Sequence, residues 1–232
     1  MTPRKIGILG GMGPEATVML MQRIIAGTPA SKDHHHIPMI VDNNPQVPSR
    51  IDALIHGTGE SPGPVLGDMA KKLQNAGAEA LIMPCNTAHH YANEIASASK
   101  IPFLNMVELT CKKLADMLAE NRRVGILASP AVRNTKLFEA SLAAHQLAPV
   151  YLQDDSELLH LIEKIKAGDT TTQTCTALNN AAIQLCEQGA GGIILACTEF
   201  SLLRDKMDVP VPILDTLDAL SEAVVAFALS PD

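Results

Sequence analysis

AGAEALIMPCNT at 76–87 and QGAGGIILACTE at 188–199 are the two stretches on which the fold of this chain turns. They match at Gly77 and Gly189, Ala78 and Ala190, Ile82 and Ile194, and Cys85 and Cys197, at a constant offset of 112 positions. Each holds a turn glycine, a short apolar run and then a cysteine followed by small polar side chains. Further out, IPFLN at 101–105 corresponds to VPILD at 211–215, and IGILGG at 6–11 corresponds to VGILAS at 124–129. Three blocks recurring in one order with nearly constant spacing mark an internal duplication.

Between these blocks, apolar runs of four to six residues alternate with stretches of helical period, the pattern of βαβ units and parallel sheets. The fold class predicted is α/β: two pseudo-symmetric domains, each a parallel sheet flanked by helices, with the active site in the cleft between them. Residues 1–106 with 212–232 form the expected first lobe and its C-terminal return, and 107–211 the second. A strand is expected at FLN, 103–105, and a helix near 134–146. Ligands of parallel sheets bind beyond the carboxyl ends of the strands. Cys85 follows ALIMP and Cys197 follows IILA, so both thiols belong at such ends.

Composition narrows the partners. Hydrophobic residues make up 47% and aromatic residues 3% of the 232, with no Trp, so the core must come from Ala, Ile, Leu, Val and Met. A formal net charge of −7 gives no electrostatic reason for a nucleic-acid or anionic-membrane partner. The opening MTPRKIGILGGMGPEA has too short an apolar stretch for a signal peptide, and no run is long enough to span a bilayer. Five cysteines without a CxxC pair read as reduced thiols of a cytoplasmic protein. His34, His35 and His36 sit in a polar loop without companion ligands, so no metal is expected.

A single cysteine after a strand is more often core than catalyst. Two at equivalent points of a duplication suit a different task, taking a proton from one face of a carbon and returning it to the other. A thiol serves as such a base where helix N-terminal amides lower its pKa.

These residues carry a resemblance. The chain resembles the aspartate/glutamate racemase family, the cofactor-independent group related to glutamate and hydantoin racemases, through IGILGGMGPEAT at 6–17, NNPQVPSR at 43–50, MPCNTAH at 83–89, KAG at 166–168 and ACTEF at 196–200. The resemblance implies an aspartate-type racemase with Cys85 and Cys197 as two acid/base groups, and no pyridoxal phosphate or metal. It also implies a small amino-acid substrate and a homodimer. Asn86, Thr87 and Thr198 match positions that hold the α-carboxylate. Arg50 and Lys166 match basic positions that meet the side-chain carboxylate, and Glu199 matches the acidic residue after CT. Met12 stands where glutamate racemases carry an acidic residue and a serine, which favours the aspartate branch. Ser129 keeps one hydroxyl of a loop that otherwise departs from the family pattern, with Pro130, Ala131 and Val132 replacing its usual threonines and glycine.

Other readings compete. Gly11, Gly13 and Ala16 fit G-x-G-x-x-A with Asp42 as a ribose-binding acid, a nucleotide-binding pattern that leaves the paired cysteines unexplained. A non-catalytic amino-acid binding protein would need neither thiol. Glutamate racemase, hydantoin racemase, maleate isomerase or a decarboxylase relative could use the same pair. His89 and His90 lie near Cys85, either at the site or on a helix surface. Cys111, Cys175 and Cys186 fall on helical stretches, away from the strand ends.

Overall fold

The computed structural model describes residues 2–231. Its contacts divide the chain into two compact units, Met1–Leu109 with Leu217–Asp232, and Thr110–Thr216. The first unit contains β1 (Ile6–Gly10), α1 (Pro14–Gly27), β2 (Met39–Asn43), α2 (Gly63–Asn75), β3 (Ala80–Ile82), α3 (Ala92–Ala98) and the start of α4 (Met106–Met117). Its sheet is parallel throughout, in the order β2-β1-β3. The second unit contains β4 (Arg123–Leu127), α5 (Pro130–Asn134), α6 (Glu139–Ala144), β5 (Ala148–Val150), α7 (Ser156–Lys166), α8 (Thr172–Glu187), β6 (Gly192–Leu195) and β7 (Ile213–Asp215). Its parallel sheet has the order β5-β4-β6-β7. The last helix, α9 (Thr216–Leu229), begins there and packs in the first unit.

Every residue of β1 is buried, as expected of a central parallel strand covered on both faces. Alternation sorts its side chains. Ile6 and Ile8 join Leu20, Ile24, Leu217, Leu220 and Val224 on one face, while Leu9 joins Leu66, Met69 and Leu73 on the other.

The two sheets share a register. Ile6 pairs with Ala80 as Val124 pairs with Gly192, and Ile8 with Ile82 as Ile126 with Ile194. Corresponding glycines are used alike. A Cβ on Gly7 would lie 2.9 Å from Ala78 Cβ and 3.1 Å from Leu73 Cβ, and one on Gly125 would lie 3.0 Å from Leu185 Cβ and 3.3 Å from Ala190 Cβ. Each central strand therefore carries a bare position onto which the helix before the cysteine strand, α2 or α8, packs closely.

Two local expectations are corrected. The strand at 103–105 is reduced to one bridge, Leu81 with Phe103, because β3 ends at Ile82 and offers no partner beyond it. The helix near 134–146 is two short helices, α5 and α6, separated where Lys136 adopts φ +51°, a left-handed conformation that interrupts helical hydrogen bonding. No helix among the described residues is long and apolar enough to cross a membrane.

Candidate active site

In the first unit, the loops after β1, β2 and β3 leave neighbouring strands at their carboxyl ends. Asn44 N–H donates to Gly10 O at 3.3 Å, which holds the start of NNPQVPSR against the glycine turn. Gly11 has φ +94°, and a Cβ there would lie 2.3 Å from the Asn44 carbonyl carbon. Gly10 is similarly filled by Thr17, whose Oγ1 accepts the Gly11 N–H at 3.0 Å. These glycines are thus accounted for by the protein's own backbone and Thr17, with no pyrophosphate needed to explain them.

Cys85 is 8% exposed and shares an apolar cluster with Met12, Val47, Ala88 and Tyr91. Asn86 is buried beside it, and Thr87 opens a 3-10 turn over Thr87–Tyr91. Arg50 folds back on its own loop, donating through Nη1 to Pro48 O at 2.9 Å and to Val47 O at 3.2 Å. Pro48, one of the prolines of that loop, thus also helps hold the guanidinium. Tyr91, which is buried, lies near Arg50 and bonds Ser61; burial raises its pKa, while Ser61 and the Arg50 charge act the other way.

His89 is buried and uses both ring nitrogens. Nδ1 lies 2.8 Å from Cys85 O, and the Met106 N–H donates to Nε2 at 3.1 Å. Because a carbonyl only accepts and an N–H only donates, these partners set a neutral imidazole protonated on Nδ1. Burial lowers its pKa to about 4, against a smaller opposing effect of the Cys85 carbonyl. The ring stacks on Phe103, with centroids 5.4 Å apart.

In the second unit, Ala196 N–H donates to Leu127 O at 2.8 Å, so Ser129 and Cys197 leave adjacent strands at nearly the same level. Ser129 is buried at the start of α5. Cys197 is 9% exposed, and its Sγ donates to Glu199 Oε2 at 2.9 Å. Thr198 Oγ1 lies 3.5 Å from the same oxygen. The other carboxylate oxygen, Oε1, faces Lys166 Nζ at 3.4 Å. Burial raises the Cys197 pKa well above its usual value; the Glu199 charge and hydrogen bond add to this, and Lys166 offsets it in part. Cys197 is therefore a protonated thiol whose proton points at a carboxylate.

The fold accordingly gathers Met12, Cys85, Asn86 and Thr87 in one unit, and Ser129, Lys166, Cys197, Thr198 and Glu199 in the other. Sequence reasoning placed Lys166 against a substrate carboxylate, and the structure pairs it with Glu199. It also left the role of His89 open and did not single out Tyr91. The signal for His89 was its place four residues after Cys85.

The family profile described as Asp/Glu/Hydantoin racemase matches residues 9–224. The chain belongs to this racemase family. Over 230 residues it is 27% identical to the broad specificity amino-acid racemase RacX of Bacillus subtilis, covering 97% of this chain and 98% of that protein. Among solved structures, it is similar to the aspartate racemase of Picrophilus torridus, with a TM-score of 0.84, 28% identity, and 97% and 94% of the two chains covered. A putative Asp/Glu racemase from Yersinia pestis shares the fold, with a TM-score of 0.83 at 23% identity over 98% of this chain and 100% of that one. Family membership and the two parallel sheets agree: an α/β racemase fold carries both cysteines at strand ends.

Proposed function

We propose that this chain is a cofactor-independent amino-acid racemase acting on an acidic amino acid, aspartate foremost, with Cys85 and Cys197 as its two bases. The observation that carries the reading is the Cys197 thiol donating to Glu199, a thiol provided with its own proton acceptor. For one hand of the substrate, a lone pair of the Cys85 thiolate forms the new S–H bond with the α-proton, while the C–H pair stays on carbon and spreads into the α-carboxylate. Cys197 gives its proton to the opposite face and is left as thiolate. For the other hand the roles exchange, and Glu199 accepts the Cys197 proton that must first leave. The chemistry requires both thiols to reach one α-carbon from opposite faces.

Asn86, Thr87 and Thr198 hold the α-carboxylate in this reading, with Met12 and Ser129 lining the substrate. Arg50 meets the side-chain carboxylate. Its bonds to Val47 and Pro48 carbonyls engage Nη1, and a guanidinium has further donors with which to grip an anion. Lys166, paired with Glu199 in the free protein, sets the charge around Cys197 and is drawn toward a substrate carboxylate on binding. A broader amino-acid specificity is the second reading, favoured by the full-length similarity to RacX.

Incubating a panel of L- and D-amino acids in deuterium oxide, with α-proton loss and optical rotation followed together, tests both readings. Aspartate should exchange and racemise fastest. Cys85→Ala and Cys197→Ala should each lower racemisation by about a hundred- to ten-thousandfold, the usual contribution of a general acid or base. Near wild-type turnover by either variant would sink the two-base reading. Neutral amino acids turning over as fast as aspartate would replace the acidic-substrate reading with the broad one.

A further inference from the structure

Among the polar contacts around the first turn of α4 is one that His89 makes from the turn after Cys85. Asn105 Oδ1 accepts the Val107 N–H at 2.9 Å and the Glu108 N–H at 3.4 Å, and Asn105 O accepts the Leu109 N–H at 3.0 Å. Leu109 makes the first bond within the helix, and of the N–H groups ahead of it, which have no acceptor inside the helix, that of Met106 goes to His89 Nε2. On its other side His89 closes the turn that carries the thiol. Nδ1–H holds Cys85 O at 2.8 Å, and the His89 backbone N–H holds Asn86 O at 2.9 Å.

The duplication supplies an independent second instance. Ser201 stands four residues after Cys197, as His89 stands four after Cys85, and Asp215 corresponds to Asn105 at the start of the helix that follows. Ser201 Oγ donates to Asp215 Oδ1 at 2.8 Å, and both side chains are buried. Different chemistry makes a like connection twice, from the turn after the cysteine to the start of the helix leaving the sheet. A packing accident would not recur at the corresponding positions with unrelated side chains.

We infer that His89 is a positioning residue for Cys85: as a neutral imidazole protonated on Nδ1 it fastens the Cys85 carbonyl to the N-terminus of α4, and in the second half Ser201 ties the turn after Cys197 to Asp215 at the start of α9, the Cys197 carbonyl being held by the Phe200 N–H. The inference rests on the reading of Cys85 as a catalytic base, and it denies His89 a proton-transfer role, since both nitrogens are committed to backbone partners. Fixing the carbonyl fixes the peptide between Cys85 and Asn86, hence the direction of the thiol and of the amides that follow.

Two substitutions separate the two links. In His89→Asn the amide NH2 occupies the Nδ1 place and keeps the bond to Cys85 O, while the Met106 bond is lost. In His89→Gln the amide oxygen reaches the Nε2 place and keeps the Met106 bond, while the Cys85 bond is lost. The expected result is that His89→Gln lowers kcat about ten- to a hundredfold with KM nearly unchanged, the scale on which small misplacements of a reacting group act. His89→Asn should restore most of this, and keep both limbs of the wild-type pH–rate profile. The rate of iodoacetamide alkylation at Cys85, read by mass spectrometry against Cys197 in the same sample, should change severalfold in His89→Gln while Cys197 keeps its wild-type rate.

Unchanged Cys85 alkylation and kcat in a folded His89→Gln protein would overturn the inference, as would loss of one pH limb in His89→Asn. Equal changes at both thiols would also overturn it, since they would report general loosening. The alkylation ratio needs no turnover. An active Cys85→Ala protein would therefore defeat the catalytic reading while the ratio still decided the positioning role.

Discussion

At the residue scale, burial sets the protonation of two side chains in opposite directions. His89 ionises at about 4 in the folded chain and at its ordinary 6.5 when unfolded. Below 6.5 the unfolded chain binds the extra proton and the folded one does not, so stability is whole above 6.5 and is lost as the pH falls through about 4. A shift of this size is worth roughly 3 kcal/mol. Urea midpoints measured between pH 7 and pH 4 should fall accordingly, and His89→Gln should flatten that part of the curve; an unchanged slope would mean another group governs it. Cys197 goes the other way, held protonated by burial and by Glu199. Glu199→Gln removes the anionic charge, so Cys197 should alkylate at lower pH than in the wild type. Racemisation should fall even so, because the proton acceptor is gone. Faster alkylation together with undiminished turnover would deprive Glu199 of its assigned part.

Among the elements, the central strands and the helices packed on them show what the duplicated pattern conveys. Gly7 and Gly125 lie at corresponding positions of β1 and β4, each in contact with the helix before its cysteine strand. Gly7→Ala or Gly125→Ala would push a methyl to 2.9 Å or 3.0 Å of a neighbouring carbon. Such overpacking costs about 1 to 3 kcal/mol. Chemical denaturation should show a lower midpoint for both, with an unchanged m-value; a neutral Gly7→Ala would mean that α2 can withdraw freely. The strand ladders were legible in IGILGG and VGILAS because a parallel strand buried on both faces reads as an apolar run. The break at Lys136 was not, since nothing in NTKLFEA resembles the glycine that usually marks a left-handed residue.

For the whole molecule, the chain's last helix belongs to the unit in which the chain begins. Leu217, Leu220, Val224 and Ala228 complete the face of the first sheet formed by Ile6, Ile8, Ala80 and Ile82. Arg4 adds a polar tie, donating to Phe227 O at 2.7 Å, and Arg23 pairs with Asp218 at 2.9 Å. Leu220→Ala removes a fully buried side chain and should cost about 2 to 5 kcal/mol. Hydrogen exchange should then accelerate in β1 and β3, more than two hundred residues and about one hundred and forty residues upstream. Faster exchange confined to α9 would show the helix to be a separable appendage.

The α/β class, the parallel sheets and the strand-end cysteines could be read from the sequence because period, apolar run length and repeated motifs are local properties, and the family likeness adds to them. The partners of the site residues could not. Lys166 lies 33 positions from Glu199, and His89 17 from Met106, and in both cases a charged or hydrogen-bonding group had several nearby candidates in the sequence. Only the tertiary structure chose among them: His89 is buried beside the Met106 N–H with water excluded, and the fold brings a half-exposed Lys166 within reach of a mostly buried Glu199.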